Sequence, residues 1–319
     1  MKWSQFVAAG GAHVPNRDQS SSPRPEIQLG RHAKEERMPS WLLKYLSSKD
    51  CGVTSHGQIE IISELCNTDD SVKYVYLSDP SVQYVSRSHR EGPYFCGYRS
   101  IQMLVSYARD TGLSGNQHFE GMPTITDLQE LVEKSWDHGI SSADRECVGP
   151  VYGTRKWVGT AEARTIFKYL QVPCQARVFA SDADGCTAWT SLIDAVERYF
   201  SSTASFVDGN AKVRQTRLGP IYLQIPGHSM VIVGLEQRQD GSKNIIVFDP
   251  GYRPTASMNR AIRSKLTIAD QKIVSRLLAP YRRSGAQMES HSNFEMLVIG
   301  SPSTGERVEG PLKASTYLK

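Results

Sequence analysis

From Ser71 onward, apolar positions recur at two spacings, every second residue or every third to fourth, and these predict strands and helices in turn. Val72–Leu77 alternates as a strand does. A polar loop is expected over Asp79–Gly92. Cys96–Ala108 sets Ile101, Leu104, Val105 and Ala108 at helical spacing, with Gly112 as the stop. Ile125–His138 and Thr160–Leu170 are two more helices, the second capped by Thr160. Val172–Phe179 predicts a strand and Thr187–Phe200 a helix. Ser201–Leu218 is polar, contains Gly209-Asn210, and predicts a surface loop. Ile221–Gln224 and His228–Glu236 are apolar strands joined through Pro226-Gly227. Asp240-Gly241 is a hairpin turn signal leading into Ile245–Asp249. Ser264–Tyr281 predicts a basic amphipathic helix and Phe294–Ile299 a last strand. Helices come early and strands cluster late, which predicts an α+β domain with a mainly antiparallel sheet.

Outside this region the pattern thins. Residues 1–38 carry the Ser/Pro/Arg-rich stretch Ser20–Pro25 and predict a disordered arm, because such a composition cannot offset the entropy of ordering. Residues 39–70 read as a helical extension. Trp41, Leu42, Tyr45 and Leu46 fall on one face after a Ser40 cap, and Ile59, Ile61, Ile62 and Leu65 follow. Two roles stay open for it: helices packed on the main domain, or a short helix docked in a partner's groove. The main domain is expected over 71–300 and a flexible tail over 301–319.

Composition narrows the classes. The 319 residues are 39% hydrophobic and 22% charged, which excludes a wholly disordered chain and a membrane protein. The longest apolar segments are strand-sized, far from the ~20 residues a bilayer span needs. A net charge of +4 is too mild to argue for nucleic acid, and the basic stretch Ser264–Arg283, whose sole aromatic is Tyr281, reads as a solvated face. The start of the chain has no apolar run that would read as a secretory signal. The six cysteines form no C-x-x-C pair, so no metal is expected; scattered thiols fit a reducing compartment, cytoplasmic or nuclear.

One cysteine stands apart. Gly92-Pro93-Tyr94-Phe95-Cys96 delivers a thiol to the first turn of a helix, where free N–H groups and the helix dipole favour the thiolate. A small buried residue opening a core helix is the alternative. A cysteine nucleophile needs a base and the base an orienting acceptor. His228 begins one apolar strand and Asp249 ends the next, so a hairpin puts both at one sheet edge. A symmetric turn at Asp240-Gly241 would not set them opposite; a longer loop or a bulge must shift the register. The remaining histidines lie in the arm, in loops or near helix ends. Motifs for metalloproteases, phosphate loops, dinucleotide binding and serine hydrolases are missing from the sequence.

These residues carry a resemblance. Phe95-Cys96-Gly97-Tyr98-Arg99-Ser100-Ile101-Gln102-Met103-Leu104 resembles the active-site helix of the Ufm-specific protease family, which includes the zinc-finger-containing ubiquitin peptidases. Pro220–Gln224 with Gly227-His228-Ser229, Val247–Gly251, and Gly153–Glu162 resemble three further blocks of that family, in the family's order. The resemblance implies a papain-like cysteine protease fold, in which the helical part carrying the nucleophile packs on the sheet. It also implies cleavage after the C-terminal glycine of ubiquitin or a ubiquitin-like modifier. Carried over by position, Cys96 is the nucleophile, His228 the base and Asp249 the orienting acid. Tyr84 takes the place of an oxyanion-hole tyrosine, with a loop aromatic packed on the core as its alternative. Trp157 and Glu162 are substrate-binding candidates, with helix-start packing and capping as theirs. Two departures matter. Tyr94-Phe95 replaces the family's Trp-Gly pair, which bears on the shape of the tail channel. Gly251 stands where the modifier-specific branch has the histidine of Asp-Pro-His, which points to the ubiquitin-directed branch. No Cys/His spacing in residues 1–80 would hold the zinc fingers of the larger relatives. The expected partner is ubiquitin or polyubiquitin, with a ubiquitin-fold modifier or an inactive ubiquitin-binding adaptor as alternatives; no cofactor and a monomeric state are expected.

Overall fold

The computed structural model describes residues 29–49, 52–113, 121–181, 186–202, 211–264 and 270–300. Most of the predicted arm, the tail 301–319, Gly209-Asn210, Leu266 and Ile268 lie outside the described residues. In chain order, α1 (Ser40–Leu46), β1 (Val53–Ser55), α2 (Gln58–Thr68), β2 (Val72–Leu77) and β3 (Tyr84–Ser86) precede α3 (Cys96–Asp110), the helix that starts at the candidate nucleophile. Next come α4 (Ile125–Asp137), α5 (Ser142–Val148), α6 (Thr160–Tyr169), β4 (Cys174–Ala180), α7 (Ala188–Ser201) and β5 (Val213–Gln215). The strands β6 (Ile221–Ile225), β7 (His228–Arg238) and β8 (Lys243–Phe248) follow. The chain then forms α8 (Ala256–Ser264), α9 (Gln271–Leu278), a 3-10 turn at Ala279–Tyr281, β9 (Arg282–Ser284), α10 (Gly285–Met288) and β10 (Asn293–Ile299).

The sheet is antiparallel apart from the β2–β5 pair, as the α+β expectation required. Its two faces are both covered. On one face lies the larger core, into which α3 sends Tyr98, Ile101, Leu104 and Val105. Every residue of α3 from Gly97 to Ala108 is buried, the condition of a helix enclosed on all sides. On the other face α7 lays Trp189, Leu192, Val196 and Phe200 over Leu223, Ile232, Ile245 and Val247. Sandwiching the sheet explains why β6 to β8 read as near-continuous apolar runs rather than strict alternations.

The long strand β7 sets the geometry of the site. It pairs with β6 through Ile232, with β2 from Gly234 onward, and with β8 along most of its length. A bulge interrupts the β7–β8 ladder between Ile232 and Gly234, where one neighbour gives way to the other. The register is Gly234↔Ile246 before it and Ile232↔Val247 after it. Because a one-residue slip moves a side chain to the opposite face, this bulge decides where Asp249 points. Without it Asp249 would fall level with Val231. With it Asp249 falls level with Met230, two residues from His228 and on its side of the pleat.

Several sequence expectations shift. The α1 cap position is Pro39 rather than Ser40, and Trp41 is 59% exposed while Leu42 and Leu46 are buried. The cap of α6 is Gly159, with Thr160 inside the helix. The expected loop 79–92 contains β3, paired with β1, and the expected loop 201–218 contains β5 on the sheet edge. These strands have three residues each, too few for an alternation to register. The helix predicted from Ser264 is capped by Asp270 and ends at Leu278. Arg282 and Arg283 lie beyond it, in β9, so they are not part of a solvated helix face. Residues 29–38, expected within the arm, are packed, with Leu29 and Met38 in the larger core.

Candidate active site

Phe95 caps α3, so Cys96 occupies its first turn, partly exposed and unbridged. The helix start is pressed against the Trp157–Val158 segment. A Cβ on Gly97 would lie 2.3 Å from Val158 O, closer than atoms can approach, so only glycine allows this contact. The loop before the cysteine is braced from within. Glu91 and Arg99 form an ion pair with side chains 0% and 1% exposed, and Glu91 Oε1 also accepts the Ser88 N–H at 3.0 Å.

His228 is the first residue of β7, delivered by the Pro226-Gly227 turn in which Ile225 pairs with His228. Its Nε2 lies 2.8 Å from Asp249 Oδ1. Cys96 lies beside the ring, close enough for the two to shift each other's titration, and both line one cleft. Asp249 is held on every side. Oδ1 accepts the Gly251 N–H at 2.8 Å, and Oδ2 accepts from Arg283 Nη2 at 2.8 Å. Cys96, His228 and Asp249, separated by 132 and 21 positions in the sequence, thus meet at one site, His228 and Asp249 hydrogen-bonded and Cys96 beside them.

The electrostatics follow from these contacts. Burial pushes the Cys96 thiol up, but hydrogen bonding and charge from His228, with the backbone and hydroxyl of Ser229, outweigh it and leave the thiol lowered. Burial alone would lower His228; the hydrogen bonds and charges of Asp249 and Cys96 instead raise it to about 10. Burial would raise the Asp249 carboxyl, yet His228, the Gly251 N–H and Arg283 bring it down to about 2. The arrangement favours a thiolate–imidazolium pair backed by a carboxylate, the reactive form of a cysteine nucleophile.

A cleft of about 410 Å³ opens over this site, lined by Cys96, His228, Trp157, Pro93, Arg87 and Tyr252 among others. Trp157 therefore lines it. Glu162 does not: it is 1% exposed and its Oε2 accepts the Gly159 N–H at 2.8 Å, capping α6. Tyr84 does not reach the cleft either. It is fully buried, and its hydroxyl lies 2.7 Å from both Asp249 O and Tyr252 O, so it fastens the turn that carries Asp249. That turn, and not an oxyanion, occupies the phenol.

Three residues of the site escaped the sequence reading. Arg283 comes from β9, hydrogen-bonded to β8 at Ile245, and nothing near Asp249 in sequence signals it. Ser229 approaches Cys96, and its Oγ lies 2.6 Å from Gln224 Oε1. Gln224 Nε2 in turn donates to His228 O at 3.0 Å, tying the end of β6 to the base. The alternation of Gln224 and Ser229 with apolar neighbours in buried strands was the available signal, since buried polar side chains need partners.

Relatives are found on several sides. Mouse (Mus musculus) zinc finger-containing ubiquitin peptidase 1 is 28% identical over 236 residues, 73% of this chain and 38% of that protein. Schizosaccharomyces pombe ubiquitin carboxyl-terminal hydrolase mug105 is 29% identical over 160 residues, 49% of this chain and 59% of its own length. The probable Ufm1-specific protease 1 of Drosophila melanogaster is 28% identical over 130 residues, 39% of this chain and 46% of that one. The solved structure of UfSP from C. elegans aligns with a TM-score of 0.45 and 14% identity over 82% of this chain and 39% of that chain. The chain thus spans well under half the length of the mouse relative. The model of peptidase family C78 matches residues 71–297, which include Cys96, His228 and Asp249, and the chain belongs to that family.

Proposed function

We propose that the chain is a cysteine isopeptidase, a deubiquitinase that cleaves after the C-terminal glycine of ubiquitin. The observation that carries this is the cleft that brings Cys96 together with the hydrogen-bonded His228–Asp249 pair. The Cys96 thiolate attacks the glycine carbonyl carbon. The developing oxyanion meets the free N–H groups at the start of α3, donors of a kind worth ~2.7–4 kcal/mol each. His228 passes its proton to the leaving lysine amine as the C–N bond breaks, giving a thioester. Water then attacks, His228 takes its proton, and the carbon–sulfur bond breaks to release the modifier's carboxylate and the thiolate. Asp249 holds the imidazole so that one nitrogen always faces the sulfur. No step calls for a metal or organic cofactor.

Ubiquitin is favoured over a ubiquitin-fold modifier because Gly251 leaves the base to come from β7. The names of the mouse and fission-yeast relatives point the same way. Trp157 in the cleft lining offers a flat wall against which a tail of two glycines, with no side chains, can lie. The reducing milieu that a catalytic thiolate needs fits a cytoplasmic or nuclear setting. The test is a pair of matched suicide probes, ubiquitin and a ubiquitin-fold modifier, each ending in an electrophile. A Cys96-dependent adduct with the ubiquitin probe is expected. Preference for the other probe would reassign the substrate, and reaction with neither would leave a silent ubiquitin-binding adaptor.

A further inference from the structure

Residues 29–38, well before the family-matched region, pack against the cleft lining. Trp157, one wall of the cleft, is gripped from behind by residues 29–38. Gly30, at φ +76°, lies so close to the indole that a Cβ there would be 2.5 Å from Trp157 Cδ2. The Trp157 N–H donates to Leu29 O at 3.1 Å. The six-membered ring of the indole also lies near Gly227, beside His228, with 3.7 Å from Cζ3 to a Cβ built there. The ring therefore touches two glycines, one from the N-terminal segment and one from the turn that delivers the base.

The same segment also holds the loop that carries Pro93 of the cleft lining. His32 packs edge-on to Tyr94, two residues before Cys96, with ring centroids 4.6 Å apart. Arg155 stacks its guanidinium over the Tyr94 ring at 5.6 Å, and Glu35 accepts from both the Arg155 backbone N–H (2.6 Å) and its Nε (2.9 Å). Farther along, the Met38 N–H donates to Gly153 O at 2.7 Å. A bidentate, half-buried ion pair with backbone bonds at both ends makes a strap across the two loops that bound the cleft.

Resting on the isopeptidase reading, we propose that residues 29–38 are a positioning strap, which sets the width of the channel for the modifier's glycine tail by fixing Trp157 and Tyr94. The strap touches no member of the catalytic chain. Loosening it leaves the thiolate–imidazolium pair intact and widens the channel, so substrates with a bulkier terminal residue gain access.

The test compares the full chain with its Glu35→Gln and Gly30→Ala variants. Each is treated with iodoacetamide and with a bulky fluorescein maleimide, and the Cys96 adduct is followed by peptide mass spectrometry. An unchanged iodoacetamide rate with a several-fold faster maleimide rate is expected. In parallel, the preference for a glycine-terminated modifier over its terminal Gly→Ala form should shrink several-fold. Unchanged rates with both reagents, or an equal change in both, overturns the strap. If Gly30→Ala fails to fold, Glu35→Gln decides alone. Failure of the unaltered chain to cleave any modifier would sink the isopeptidase reading, while the two alkylation rates would still decide the strap.

Discussion

Arg283 Nη2 lies 2.8 Å from Asp249 Oδ2, so the carboxylate that orients His228 with one oxygen is itself held by a guanidinium through the other. The two arginines that follow Tyr281 have separate tasks. Arg282 joins Asp69 and Glu236 at 2.9 and 2.8 Å in a buried structural cluster, and Arg283 serves the site.

Replacing Arg283 with Met should therefore act through Asp249. Loss of a cation at this range raises a carboxyl by about one to three units, which leaves Asp249 ionised at neutral pH but free to turn. The expected result is a fall in kcat of about tenfold or more with little change in KM, since misplacing a catalytic group is costly even at a small displacement. Arg283→Lys should recover part of it. A pH profile of kcat whose acid limb moves upward in Arg283→Met checks the assignment; an unshifted profile would leave Arg283 a merely structural residue.

The catalytic chain itself predicts two larger losses. Cys96→Ala and His228→Ala should each lower turnover of a ubiquitin conjugate by more than about a thousandfold, with far-UV circular dichroism unchanged. Retained turnover in Cys96→Ala would dismiss this sulfur as the nucleophile.

The pH dependence of activity follows from the same pair. The competent form carries Cys96 as thiolate and His228 as imidazolium, so activity should fall at acid pH as the lowered thiol takes a proton. It should fall again at alkaline pH as His228, raised to about 10, gives its proton up. Stability carries opposite signs for the two partners. Asp249, depressed to about 2, contributes stability that is present above its unfolded value near 3.8 and is lost as pH falls through about 2. His228 contributes stability that is fully present below its unfolded value of 6.5 and is lost as pH rises through about 10. Denaturant midpoints across pH for the parent and His228→Ala check this: the alkaline loss should be smaller in the variant.

The Glu91–Arg99 pair gives a stability prediction. Glu91→Gln leaves a guanidinium buried without its carboxylate, at a cost of about 3–5 kcal/mol. The Gln Oε1 can still accept the Ser88 N–H, so the loss falls on the Arg99 contact. A marked drop in the denaturation midpoint is expected, and an unchanged midpoint would show that the loop is held elsewhere.

The meeting of Cys96, His228 and Asp249 was legible in the sequence because these residues sit at places that sequence patterns mark: a helix start after Gly-Pro, and the two ends of a hairpin. What aligns them was not. The bulge at residue 233 leaves only a faint trace, the isolated Gly234 inside the apolar run Met230–Leu235. It depends on β2 replacing β6 as the partner of β7, a tertiary event. Tyr84 was placed by spacing, which fixes distance along the chain but not the direction of the hydroxyl, and two carbonyls of the Asp249 turn claim it. The strap at 29–38 was hidden for another reason. Its polar composition resembles a solvated arm, and its order comes from Glu35 meeting Arg155, 120 residues away.

Position 251 offers the sharpest check on how the base is supplied. A Cβ built on Gly251 lies 3.9 Å from His228 Cε1 and 3.1 Å from Asp249 Oδ1, so side chains from 228 and 251 converge on one space beside one carboxylate. Gly251→His alone should then lower activity, because two rings compete for Asp249 and the neighbouring imidazole crowds the first. In a His228→Ala background the space is vacant, and an imidazole from position 251 can enter it with Asp249 still in place. The double variant should regain at least about tenfold over His228→Ala alone, a fraction of the 10²–10⁴ that a well-placed base contributes. Turnover of a ubiquitin conjugate by the three variants measures this. Gly251→His leaving activity untouched, together with no recovery in the double variant, would show that the two positions do not share a ring site, and that the base must come from β7.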